Sequence, residues 1–336
     1  MLFFEKKEVR IAKKLLKFEQ KGGKLLGAEC YYLATFFYDN SNIPAVLHYL
    51  QKGVEINSLE CRISYWRAFL KEHYKEIGWK RQDLANYIHS LAQECDHPEV
   101  CWDDALELAR KKAQLHDAFA MNIKAANLGS YHAIRELFAY CEVRPEYEAQ
   151  ALYWLYKALQ HFPKDGSVKD SEVMELHLKF ANRFPGDDVQ YIIKAAADEG
   201  CASAVADMKW EDYNWETLKP YIDLGMDNAI PSVVYRYCCY ALDDTEDSAP
   251  VLETMEAFAK QGYRDFILSL ADIYSGKIEK LKFFANHEKA LYYNELALYY
   301  NYPNAISFFV EHTEGVHKDF FKFILKETKF LEISIE

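Results

Sequence analysis

Pairs of apolar residues four positions apart recur down this chain: Ala133 and Leu137, Ala204 and Met208, Ala229 and Val233, Phe266 and Leu270, Ala305 and Phe309. That spacing keeps both side chains on one side of a helix, so each pair predicts a packing stripe. Each pair follows, by four and eight residues, a small or turn residue that ends one helix and opens the next: Gly129, Gly200, Gly225, Gly262 and Asn301. Phe162 is placed in the same role. A second stripe precedes these residues, as in Ala151-x-x-Trp154-x-x-Lys157-Ala158-Leu159 and Ala290-x-x-Tyr293-x-x-Leu296-Ala297-Leu298. A large side chain between small ones is a knob set between two holes.

The closing residues form a ladder. From Gly129 to Phe162, Gly200, Gly225, Gly262 and Asn301 the steps are 33, 38, 25, 37 and 39 residues. Gly53 and Cys95 extend it towards the N-terminus. A period in the mid-thirties is one helical hairpin, and the drift implies loops of unequal length. The expected fold is all-α: a right-handed α-solenoid, or superhelix, of about eight stacked antiparallel hairpins. A stack grows by adding neighbours, so 336 residues need not mean two domains.

These residues resemble the Sel1-like repeat, a relative of the tetratricopeptide repeat, with the pattern G-x3-A-x3-L followed by A-x2-W-x2-KAA-x2-G. The likeness is best over Asp117 to Leu137, Gln150 to Phe162 and Lys289 to Phe309, and extends more weakly from about Gly23 to about Thr313. Two features depart from it. Lys194-Ala195-Ala196-Ala197 stands one residue out of register before Gly200, and the usual G-x-G-V-x-x-D loop is missing. The ordinary tetratricopeptide class therefore stays open. The resemblance implies a non-enzymatic adaptor or scaffold with an extended concave face.

Three segments are expected: an N-terminal capping helix over 1–22, the repeat array over 23–315, and a C-terminal capping helix over 316–336. The first carries Ile11, Ala12, Leu15 and Phe18 on one side and Lys6, Lys7, Arg10, Lys13, Lys14 and Lys17 around the rest. A basic amphipathic helix can lie on an anionic membrane, but the polar-backed cap that a repeat array needs suits it better. Residues 70–82 are charge-rich and fit the repeat badly, which predicts an insertion or a longer loop. Asp243-Asp244-Thr245-Glu246-Asp247 reads as an acidic loop between helices.

The charge is −12, from 40 basic and 52 acidic residues. That balance argues against nucleic acid and favours a basic protein partner. No apolar run approaches the length of a membrane-spanning helix, and residues 1–20 lack the apolar core of an export signal. Eight cysteines in that context read as reduced, buried thiols of a cytoplasmic protein.

No motif commits the chain to catalysis, and neither a cofactor nor a metal is expected. Gly22-Gly23-Lys24 lacks the remainder of a phosphate loop, and Leu291 stands where His287-Glu288 would need a second histidine. His89, Cys95, His97 and Cys101 are spaced too loosely for a zinc signature. Asp103-Asp104 and Asp187-Asp188 read as helix N-terminal caps. An enzyme or a metal or small-molecule binder in the diverged 60–115 region is the competing reading.

The aromatic content carries more. Trp210, Tyr213 and Trp215 cluster beside Glu211 and Asp212, with Tyr235, Tyr237 and Tyr240 close behind. Tyrosine and tryptophan bordered by acids suit a protein-binding face for a basic ligand. Trp210, Tyr213, Trp215, Tyr235, Asp243 and Asp244 are the candidate partner-binding residues. The expected function is a protein-binding scaffold: an immunity protein that neutralises a basic toxin, or an adaptor in a bacterial system.

Overall fold

The computed structural model describes residues 7–163, 168–186, 188–244, 248–300 and 302–326. Among them there are twenty α-helices and no strand. In chain order these begin with α1 (Lys7–Gln20), α2 (Gly27–Asp39), α3 (Ile43–Glu55), α4 (Leu59–Tyr65), α5 (Lys71–His73) and α6 (Arg81–Glu94). Next come α7 (Pro98–Ala109), α8 (Leu115–Asn127), α9 (Tyr131–Glu142), α10 (Glu148–His161) and α11 (Asp170–Arg183). These are followed by α12 (Val189–Asp198), α13 (Ala202–Val205), α14 (Trp215–Asp227), α15 (Pro231–Asp244) and α16 (Ala249–Lys260). The last four are α17 (Arg264–Tyr274), α18 (His287–Tyr299), α19 (Pro303–His312) and α20 (Gly315–Lys326). Each helix packs chiefly on its neighbours along the chain, the α-solenoid pattern of stacked hairpins.

Two compact units result. One is the unbroken stretch Asp96–Gln261; the other, here the split unit, joins the segment up to Cys95 to the segment from Gly262.

One local device turns the chain in both units. At Asn57, Gly129, Gly200 and Ala229 the backbone enters the left-handed region, and after the first three the next residue, Ser58, Ser130 or Cys201, is extended. The N–H of that next residue reaches back five positions at 2.9 Å in every case: Ser58 to Gly53, Ser130 to Ala125, Cys201 to Ala196, Ile230 to Gly225. Two helix-end carbonyls are thereby satisfied and the following helix starts at once. The residue that accepts this bond is small because the next helix crosses there. A methyl group on Gly53 would lie 2.1 Å from the Cys61 sulfur, and one on Gly225 would lie 2.6 Å from a Val233 methyl.

This corrects the ladder. Gly53 and Gly225 sit inside helices at crossings, and the turns are made by Asn57 and Ala229. The steps from Gly200 to Ala229 to Gly262 are 29 and 33, more even than the sequence spacing suggested. Ala229 is exposed and is no part of a packing stripe, whereas Val233, Ala133, Leu137, Ala204, Met208, Phe266, Leu270, Ala305 and Phe309 are buried. Asn301 lies outside the described residues.

Residues 70–82 are helical but broken: α5 is three residues long, a 3-10 turn runs over Tyr74–Ile77, and Gly78 reverses the chain. A π-helical turn, Trp66–Leu70, precedes them. Asp103 and Asp104 lie within α7, whose cap is His97, while Asp188 caps α12 by accepting from Gln190. Asp187 lies outside the described residues.

The two ends of the described chain meet in the split unit. Phe321 of α20 stacks on Phe309 at 4.9 Å, and Phe320 meets Tyr32 of α2 edge-on at 5.5 Å. Lys14 of α1 pairs with Asp319 of α20 at 2.8 Å. The fully buried Glu29 accepts from the Leu26 N–H at 2.9 Å and meets His317 Nδ1 at 2.7 Å.

Candidate partner-binding face

The predicted residues fall on α14, α15 and the turn before them, all within the continuous unit. That turn is a short 3-10 segment, Trp210–Asp212. Asn214 then starts α14 by accepting from the Thr217 N–H at 2.9 Å. Starting the helix at this point leaves Trp215 as its first residue, at the surface.

Trp215 and Tyr240 stack with their rings 5.0 Å apart and 21° from parallel, yet remain 45% and 51% exposed. Tyr237, one turn before Tyr240, is 38% exposed, while Val233, Val234, Cys238 and Ala241 fill the buried side of α15. An aromatic pair left this open offers a flat, rigid anchor, because two χ angles per residue leave little to freeze on binding. Glu211, Asp212 and Glu216, close to Trp215 in sequence, are exposed.

The other predicted aromatics hold the fold. The Trp210 indole donates to the Val205 carbonyl at 3.2 Å, and the Arg236 guanidinium covers its ring at 5.0 Å. Tyr213 is half-buried against Tyr221. The Tyr221 hydroxyl donates to Asp198 at 2.6 Å, and Lys194 closes the triad at 2.7 Å. Burial pushes the Asp198 carboxyl up, but the bonds from Lys194 and Tyr221 outweigh it and hold the group below its ordinary value. Asp198 therefore stays ionised as an anchor for both partners.

Tyr235 is half-buried and, by helical period, lies on a different side of α15 from Tyr237 and Tyr240. Asp243 and Asp244 close α15 and do not lie in a loop; their side chains lie outside the described residues, as do Thr245, Glu246 and Asp247. Of the six predicted residues, Trp215 alone belongs to the exposed Trp215–Tyr240 stack. Tyr237 and Tyr240, three residues apart, share one side of α15 by helical period.

In the 60–115 region, His97 is a helix cap and Cys101 is buried, its thiol pushed up to about 12 by burial. Such a thiol is not a nucleophile near neutral pH. Among the described residues no three metal-ligating side chains come together. None of the eight cysteines forms a disulfide. A small cavity in the split unit is lined by Tyr31, Glu60, Leu298, Phe320, Phe321 and Ile324, a mostly apolar set.

No protein-family model matches the chain. No curated protein matches it either. Among solved structures it is similar to the Sel1 repeat protein from Oxalobacter formigenes, with 14% identity, 96% of this chain and 95% of that one covered, and a TM-score of 0.33.

Proposed function

We propose that this protein is a non-enzymatic, Sel1-like helical-repeat scaffold that binds a basic protein partner through the exposed edge of α14 and α15. The observation that supports it most directly is the Trp215–Tyr240 stack, nearly half open to solvent, with exposed acids close to Trp215 in sequence. Flat aromatics supply contact area and attract arginine side chains over their faces. Exposed acids speed encounter with a basic surface. Stacked hairpins, which add exposed surface with every repeat, are suited to holding another protein. Neutralising a basic toxin and bridging components of a bacterial assembly both use such a face, and both fit a protein of net charge −12.

The test is affinity capture from the native cell with the wild-type protein and a Trp215→Ala/Tyr240→Ala double variant. Both rings are exposed, so the variant keeps its thermal midpoint within about 2 °C of wild type. A basic protein is expected to be captured by the wild type and depleted at least tenfold on the variant, a loss of about 1.4 kcal/mol or more. Equal capture by both proteins would remove α14 and α15 from the interface. Loss of folding in the variant would return the two rings to a structural role.

A further inference from the structure

Charge is distributed unevenly over the split unit. Residues 7–24 carry seven lysines and arginines against Glu8 and Glu19 in a chain whose net charge is −12. Glu19 is turned to Tyr49 and Lys52 on α3. On α1, Lys7, Arg10, Lys14 and Lys17 follow the spacing three, four, three and are all exposed. At 100° per residue they fall within an arc of about 80° along about 15 Å of helix. Ala12 and Leu15 point the other way and are fully buried, so the apolar side of α1 is already used in packing.

The neighbouring α20 continues the cationic surface. Lys14 reaches Asp319, and that carboxyl is held below its ordinary value first by the Lys14 bond and also by the charge of Lys322. Lys322 and Lys326, one turn apart, are exposed. Two packed helices, joined by the Lys14–Asp319 pair, therefore both present exposed cations.

We infer that the α1–α20 strip of the split unit is a docking surface for an anionic lipid bilayer, held by charge alone and without insertion. The four α1 cations share one side of a single helix, which matches a plane better than a groove. Five of its six cations named here are lysines, compact point charges that pair loosely with dispersed headgroups and lack the fork with which arginine grips one phosphate. Among the described residues no exposed aromatic lies beside them in α1 to stack on a base, since Phe18 is half-buried beside His317. The acidic remainder of the protein does not prevent this, because charges more than about 8 Å apart are screened at physiological salt. The inference does not rest on the α14–α15 face, which belongs to the other unit.

The test is flotation of the full chain with phosphatidylglycerol-containing vesicles and with pure phosphatidylcholine vesicles. The protein is expected to float with the first, not the second, and to be released at about 1 M salt, where screening falls to about 3 Å. Each surface cation lost should lower partitioning about fivefold, so Arg10→Glu/Lys17→Glu/Lys322→Glu lowers it at least about a hundredfold. A control with three reversals elsewhere, Lys209→Glu/Lys219→Glu/Lys260→Glu, should still float, as should Trp215→Ala/Tyr240→Ala. Matching far-ultraviolet circular dichroism confirms that each variant is folded. Absence of flotation, equal loss in the control, or flotation of the triple variant would each overturn the inference. Tighter binding to duplex DNA than to vesicles would assign the strip to nucleic acid instead.

Discussion

A single methyl group separates two kinds of repeat position in this chain. Gly53 lies inside α3 with ordinary helical geometry, yet a side chain there would collide with both the sulfur and the β-carbon of Cys61, at 2.1 and 2.5 Å. Ala229 is the reverse case: exposed, uncrowded, but held at φ 50, where a β-carbon is unwelcome. Opposite effects follow from the two exchanges. Gly53→Ala gains up to about 1 kcal/mol of helix propensity but forces α3 and α4 apart, for a net loss of about 1–3 kcal/mol. Ala229→Gly relieves the left-handed strain and loses some chain entropy, for a net gain of about 0.5–1 kcal/mol. Urea unfolding of the two variants beside the wild type measures both; a destabilised Ala229→Gly would mean that the turn is not strained. The same pair shows why the ladder was misplaced from sequence. A glycine needed for crossing and a glycine needed for turning look alike in a string of letters. An alanine doing the turning carries no signal at all.

At the scale of helices, most of the fold was legible. The four-residue stripes locate the buried side of α9, α17 and α19, because helical period is written directly in side-chain type. Contacts between distant helices were not legible, since nothing in a local pattern says that α20 returns to α1 and α2. The candidate face was read in part for the same reason. Acidic and aromatic composition marked the α14–α15 segment, but only the crossing of the two helices decides that Trp215 meets Tyr240 and that Trp210 is spent on Arg236 and Val205. The return of α20 also brings a titratable contact, His317 with Glu29, into the interior. Burial pushes the Glu29 carboxyl above its ordinary value, with the Leu26 N–H and His317 opposing that shift. A carboxyl raised in the folded state binds its proton more tightly there than in the unfolded chain. Its contribution to stability is complete below the ordinary carboxylate range and is lost as the pH rises through the raised value. Glu29→Gln keeps an acceptor for Leu26 and removes the titration. The stability of the wild type relative to this variant is therefore expected to fall as the pH rises through that window. Denaturant titrations at several pH values would read this as a change in the difference between the two curves; parallel curves would show that Glu29 does not titrate on folding.

For the whole chain, the consequence of this return is a unit whose two halves lie far apart in sequence. An open repeat array is stable as a sum of neighbours, and its ends fray first because each lacks one. The split unit does not follow that rule, because its terminal helices are neighbours of each other. Phe320 and Phe321 near the C-terminus are among the largest fully buried side chains, and they pack on Tyr32 of the N-terminal segment and Phe309 of the C-terminal one. Truncating a buried phenylalanine costs about 3–5 kcal/mol. Phe320→Ala should therefore weaken both segments together, since Phe320 packs on Tyr32. Hydrogen exchange is expected to show protection lost in parallel over α2 to α4 and over α17 to α20, although more than two hundred and fifty residues separate Tyr32 from Phe320. The continuous stretch Asp96–Gln261 has its own buried core and no gap in its sequence, so as an isolated fragment it should fold and stay helical. Loss of protection confined to α19 and α20 would mean that the C-terminal helix frays like the end of an open stack. The shared core of the split unit would then be too weak to act as one cooperative body.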